Sequence, residues 1–150
     1  MRAVVQRTES CSVNISGKLF SEIGNGMLIL LGIEDDDAEE DAGWLVRKIS
    51  QMRIFDDQNG VMNFSLDEAG GEAMVVSQFT LHASVKKGNR PSYIRAARPE
   101  KAIALYEYFI HHLQQSTEKQ VKNGQFGAMM KVSLVNDGPV TIIMDSKNRE

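Results

Sequence analysis

The longest apolar run in this chain, Met27-Leu28-Ile29-Leu30-Leu31, is five residues long and lies between Gly24-Asn25-Gly26 and Gly32. A short run that is apolar at consecutive positions reads as a strand buried on both faces, and therefore central in a sheet. It falls far short of the ~20 apolar residues that cross a bilayer, so no membrane association is expected. Ala3 to Arg7 reads as a first strand. Cys11 to Ile15, the turn Ser16-Gly17-Lys18 and Leu19 to Ile23 read as a hairpin, because Val13 and Ile15 alternate with polar neighbours. Arg53-Ile54-Phe55 and Val61 to Phe64 flank a turn with Asn59-Gly60 at its tip, and Ala73 to Val76 follows Gly70-Gly71. Two further strands flank Gly138-Pro139.

Two segments carry the helical period instead. Ala42, Leu45, Val46, Ile49 and Met52 mark one apolar stripe; Ala102, Leu105, Tyr106, Phe109 and Leu113 mark another, with Pro99 suited to the first turn. The acidic run Glu34 to Asp41 precedes the first stripe. Asp35 to Asp37 suit a helix cap and Glu39 to Asp41 complement the helix dipole; a divalent-cation site is the alternative. Seven or eight strands with two helices predict an α+β, mostly antiparallel fold in one domain, and 150 residues is one domain's length.

Cys11 is the only cysteine, which excludes an intrachain disulfide and a multi-cysteine zinc site and suits a reducing cytoplasm. The opening Met1 to Arg7 has no signal-peptide core. The net charge of -3 is unevenly spread: the stretch Lys86 to Lys101 holds Lys86, Lys87, Arg90, Arg95, Arg98 and Lys101 against Glu100 alone. Such a patch contacts phosphates, or it is a solvated loop.

Polar groups collect where two strands end, in Ser77-Gln78-Phe79-Thr80-Leu81 and Asn136-Asp137-Gly138-Pro139-Val140-Thr141. These segments offer hydroxyls, amides and a Gly-Pro turn but no metal-ligand cluster. Ser77 lacks the G-x-S-x-G context of a nucleophile elbow. His82, five residues on, falls on the opposite face of an extended segment, and His111-His112 reads as helix surface. Thr80 has no local base to activate it, Gln78 reads as a structural amide and Asp137 as a turn stabiliser. These residues point to a site that works through hydrogen bonds and backbone geometry, with neither metal nor cofactor, and they name no substrate.

With these segments stand Arg2 to Arg7, Gly24 to Gly32, Arg53-Ile54-Phe55, Arg90-Pro91-Ser92, Leu105-Tyr106 and Val132 to Val135. Together they resemble the D-aminoacyl-tRNA deacylases of the bacterial and eukaryotic type, also called D-tyrosyl-tRNA deacylases, nearly end to end. The resemblance implies hydrolysis of the ester joining a D-amino acid to tRNA, and of glycyl-tRNA. It implies a barrel-like β structure with helices outside, working as a cytoplasmic homodimer with its sites at the interface. Ser77, Gln78, Phe79 and Thr80 then form the catalytic segment, with backbone N–H groups around Phe79 and Thr80 for the oxyanion and the tRNA's terminal 2′-OH handling the proton. Gly138 and Pro139, joined by a cis bond in the family, reach into the partner's pocket and select chirality. Lys86, Lys87 and Arg90 are the expected tRNA contacts. The rival expectations are an RNA-binding barrel without turnover and a structural or ligand-binding dimer.

Overall fold

The computed structural model describes residues 1–149. In chain order its elements are β1 (Arg2–Ile15), β2 (Lys18–Ile23), β3 (Gly26–Gly32), α1 (Glu39–Ser50), β4 (Phe55–Asp56), β5 (Met62–Phe64), β6 (Glu72–Ser77), a 3-10 turn (Phe79–His82), α2 (Pro99–Gln115), β7 (Lys122–Asn123) and β8 (Met130–Asp145).

β1 is the spine. It is one strand, not the two separate ones expected, because β8 runs antiparallel beside it from Arg2↔Asp145 to Ile15↔Met130. Its other edge is shared: β3 pairs with residues 2–8 and β2 with residues 11–15. Ser16 and Gly17 both have positive φ, which suits the tight turn between β1 and β2. β3 pairs parallel with β6, and β6 parallel with β7. The sheet is therefore mixed: the three pairings of β1 are antiparallel, in line with the mostly antiparallel fold expected, and the two made by β6 are parallel. Parallel strands need a long crossover, and α1 with the small β4–β5 hairpin supplies the one between β3 and β6. Ser21 Oγ on β2 donates to the Asn123 carbonyl on β7 at 3.0 Å and nearly closes the barrel.

The continuous apolar run of β3 has a core on each side. Met27, Ile29 and Leu31 pack with Ala3, Val5 and Val75 beneath Leu45 and Ile49 of α1 and Leu105, Phe109 and Leu113 of α2. Leu28 faces the barrel interior with Cys11, Val13, Ile23, Met74 and Val76. Cys11 is buried, and burial pushes its thiol up to about 11.

The acidic run plays the expected part only in its second half: Glu39, Glu40 and Asp41 stand in the first turn of α1, where they complement its dipole. Asp35 to Asp37 do not cap α1; Asp41 accepts the Ala38 N–H at 2.9 Å from inside the first turn. Asp37 is buried, accepts the Glu34 N–H at 2.8 Å and pairs with the Met1 ammonium. Ser146 joins them by accepting from that ammonium at 2.9 Å. These acids tie β1, the start of α1 and the segment after β8 together.

Candidate functional site at the end of β6

The chain leaves β6 at Ser77 and winds into the 3-10 turn, so Ser77 to His82 is not extended as the residue spacing implied. The cause is Gln78: its N–H donates to Leu31 O at 2.7 Å and holds the chain to the end of β3 while Leu81 N–H bends back to Gln78 O at 3.2 Å. Gly32 makes this approach possible. A Cβ there would lie 3.0 Å from Gln78 O and Leu81 Cβ and 3.1 Å from the His82 ring.

The first N–H groups of any helical turn lack an internal acceptor. Here they belong to Phe79 and Thr80, and among the described residues neither donates to a protein acceptor. The Gln78 side-chain amide donates to Thr80 Oγ1, so the hydroxyl is engaged by a neighbouring side chain. Phe79 is 56% exposed and stands edge-on to Tyr93, ring centres 5.1 Å apart.

Beside this turn opens a cavity of about 670 Å³. Ser77, Gln78 and Phe79 line one side, Tyr93, Ala96 and Ala97 another, and Phe126, Met129, Met130 and Val132 a third. The lining is largely apolar with a few polar groups from the β6 end, the usual make-up of a small-molecule site. The wall of residues 93–97 is fixed to β3: Glu34 bridges Ala96, and Ala97 N–H donates to Ile33 O at 2.9 Å. The Tyr106 hydroxyl, whose pKa burial raises, donates to Val75 O at 2.8 Å and steadies β6 from α2.

Lys86, Lys87 and Arg90 lie exposed on the loop that leaves the 3-10 turn and returns through the Ser84↔Ser92 bridge. They sit next to the cavity wall in sequence but do not line the cavity. His111 is exposed, as its helix position predicted, and His82 is fully buried.

Gly138 and Pro139 do not line this cavity either. They lie exposed within β8, which runs on through the segment expected to separate two strands. Thr141 pairs with Gln6 and Asn136 with Thr8, so residues 137–140 bulge out opposite Arg7 alone. The Gly138–Pro139 peptide is cis. Asn136 clamps the base of the bulge: its Oδ1 accepts the Val140 N–H at 3.0 Å and its Nδ2 donates to Thr141 Oγ1 at 3.1 Å. Arg7, almost fully buried, sits beneath. Its Nη1 donates to Ile54 O at 2.8 Å and Asp56 at 3.1 Å, and its Nε lies 2.8 Å from Asp137. Gly138 has φ +114°, a conformation side chains rarely adopt, and a Cβ there would meet Val140 Cγ2 at 2.8 Å.

Residues 4–145 match the model of the D-Tyr-tRNA(Tyr) deacylase family. This chain belongs to that family. A D-aminoacyl-tRNA deacylase of Parabacteroides distasonis is 59% identical, and one of Bacteroides thetaiotaomicron 60%, each over 150 residues that cover all of both chains. Among solved structures, a c-Myc DNA unwinding element binding protein matches with a TM-score of 0.92 and 40% identity over 97% of this chain and 98% of its own. A probable eukaryotic D-amino acid tRNA deacylase shares the fold, with a TM-score of 0.77 at 19% identity over 95% and 97% of the two chains. Within the deacylase family frame, the SQFTL and NDGPVT segments were legible in the sequence. Arg7 beneath the bulge and the Phe126 to Met130 wall of the cavity were not singled out there. An arginine in an otherwise strand-like stretch, and an apolar loop broken by Gly127, were the available signals.

Proposed function

We propose that this chain is a D-aminoacyl-tRNA deacylase that hydrolyses the ester between a D-amino acid and tRNA. The observation that carries the reading is the pair of unengaged N–H groups, those of Phe79 and Thr80, beside an apolar cavity. An aminoacyl ester is already activated. Hydrolysis needs a placed water and donors aimed at the oxyanion more than it needs a strong nucleophile. Ser77, Gln78, Phe79 and Thr80 form the catalytic segment, with the backbone donors as the working groups. The terminal 2′-OH of the tRNA handles the proton. Glycyl-tRNA, with no side chain to exclude, is a second substrate.

Gly138 and Pro139 act as chiral selector in the cavity of a second copy of the chain. Two observations support the homodimer. The pair projects from β8 but takes no part in its own cavity. And among the described residues β8 pairs with β1 alone, which leaves the backbone groups of a 16-residue strand open along its outer edge. Lys86, Lys87 and Arg90 contact tRNA phosphates. The setting is cytoplasmic translation; among the described residues no helix is long and apolar enough to cross a membrane.

Incubation with D-tyrosyl-tRNA and L-tyrosyl-tRNA, followed by ester loss, tests the reading: the D-ester is cleaved and the L-ester spared. The 40% identical neighbour is named for binding a DNA unwinding element, which favours a second reading, nucleic-acid binding without turnover. Retention of tRNA with an intact D-ester selects that reading and rejects the first. Light scattering is expected to give twice the 16.7 kDa chain mass, and a fully active monomer removes the shared site.

A further inference from the structure

His82 closes the 3-10 turn, and its imidazole is completely buried. Neither ring nitrogen has a hydrogen-bond partner among the described residues, an arrangement that folded proteins rarely tolerate without a reason. Glu34 Oε2 lies 3.5 Å from His82 Nδ1. The same oxygen lies 3.7 Å from Arg95 Nε. Glu34 thus stands between two parts of the cavity. His82 belongs to the turn that presents the Phe79 and Thr80 N–H groups. Arg95 lies in the segment whose Tyr93, Ala96 and Ala97 form the cavity wall, and Glu34 also bridges Ala96 through its backbone. The turn is packed hard on Gly32, so a displaced His82 ring moves the donors with it.

We infer that His82 is a positioning residue for the hydrolytic reaction: its Nδ1, 3.5 Å from Glu34 Oε2, closes to a hydrogen bond on that oxygen when substrate fills the cavity and, with Arg95 3.7 Å from the same oxygen, couples the donor turn to the cavity wall. The inference rests on the deacylase reading and assigns no contact between His82 and substrate. A proton on Nδ1 faces the Glu34 carboxylate, and the Arg95 guanidinium approaches the same oxygen from the cavity wall. When substrate fills the cavity and presses on the 93–97 wall, the linkage holds the Phe79 and Thr80 N–H groups in place. Stabilisation gained only in the transition state raises kcat and leaves KM nearly alone.

Four variants and one spectrum test this. His82→Phe keeps the ring and removes both nitrogens. It is expected to lower kcat on D-tyrosyl-tRNA about tenfold with KM little changed, short of the roughly 10²-fold cost of a 1 Å misplacement. Glu34→Gln is expected to do the same, and the double variant to be no worse than either single, as for two members of one interaction. His82→Asn, whose amide N–H stands near the place of Nδ1, is expected to recover most of the rate. Unchanged kcat in His82→Phe, or additive losses in the double variant, overturns the inference. The nitrogen-15 spectrum of the unreacted wild-type protein is expected to show the proton on Nδ1. A proton on Nε2 alone overturns the His82–Glu34 bond even where a variant does not fold. Wild-type protein that leaves every D-ester intact refutes the deacylase reading, and the spectrum still judges the bond.

Discussion

Replacing Asp41 by Asn removes one charge and almost nothing else. The side chain is 7% exposed, accepts from Lys147 Nζ at 2.8 Å and from the Ala38 N–H at 2.9 Å, and an amide oxygen still serves the second donor. Burial alone would raise the Asp41 carboxyl. Hydrogen bonds from Lys147, the Ala38 N–H and Ser146, with the Lys147 charge, outweigh burial and bring it from 3.8 to about 2. That difference corresponds to about 2 kcal/mol favouring the charged form in the folded state. Lys147 is 44% exposed, and solvent screening reduces the effect on stability to about 1–2 kcal/mol. The sign follows from the depressed carboxyl: the stabilisation is complete above the ordinary value near pH 4 and is lost as pH falls from about 4 to about 2. At pH 7 the variant is therefore expected to unfold roughly 3–6 °C below wild type. Urea titrations followed by circular dichroism at pH 7, 4, 3 and 2, in low salt, should show the two stability curves converging near pH 2. A gap that persists undiminished to pH 2, or no gap at pH 7, refutes the electrostatic account.

Gly32→Ala places a methyl group 3.0 Å from Gln78 O and Leu81 Cβ. Overpacking there is expected to cost about 1–3 kcal/mol in chemical denaturation and to lower turnover of D-tyrosyl-tRNA, and a variant as stable and active as wild type counts against a tight donor turn. Gly138→Ala meets both an unfavourable φ and Val140; because the bulge is exposed, turnover and D/L discrimination should suffer more than melting temperature, and a normal rate with normal discrimination removes Gly138 from the selector. Replacing Lys86, Lys87 and Arg90 together with Ala should flatten the log–log salt dependence of tRNA binding by about 0.7–0.9 per lost phosphate contact, whereas an unchanged slope moves the contact surface elsewhere.

The elements were legible where one physical signal dominated. The Met27 to Leu31 run announced a strand with a core on both faces, and Leu45, Ile49, Leu105 and Phe109 announced helices by their spacing. The direction of pairing was not legible, because an apolar strand such as Ala73 to Val76 looks the same whether its neighbour is parallel or antiparallel. The single strand β8 was hidden by Gly138-Pro139, which reads locally as a break and is absorbed as a bulge only because β1 runs on beneath it. At the candidate site, the sequence placed the polar segment correctly at the end of β6. The spacing argument that set His82 opposite Ser77 assumed extended backbone. It failed because the Gln78–Leu31 bond turns the chain at Phe79. Residues that reach the cavity from afar, such as Phe126 and Met130, carry no local mark of that duty.

The pairing of β1 with β8 also orders events in folding. Arg2 on β1 bonds to Asp145 on β8 at a separation of 143 residues, and contacts so distant along the chain are slow to form because loop closure precedes any reward from pairing. During synthesis β2 and β3 dock on one edge of β1 while the opposite edge waits for the last strand. The Gly138-Pro139 bulge, clamped locally by Asn136, gains its contacts with Arg7 and Gln6 only when β8 joins β1. An incomplete chain is therefore expected to assemble much of the barrel and the turn at Phe79, yet it lacks the bulge proposed to tell one stereoisomer from the other.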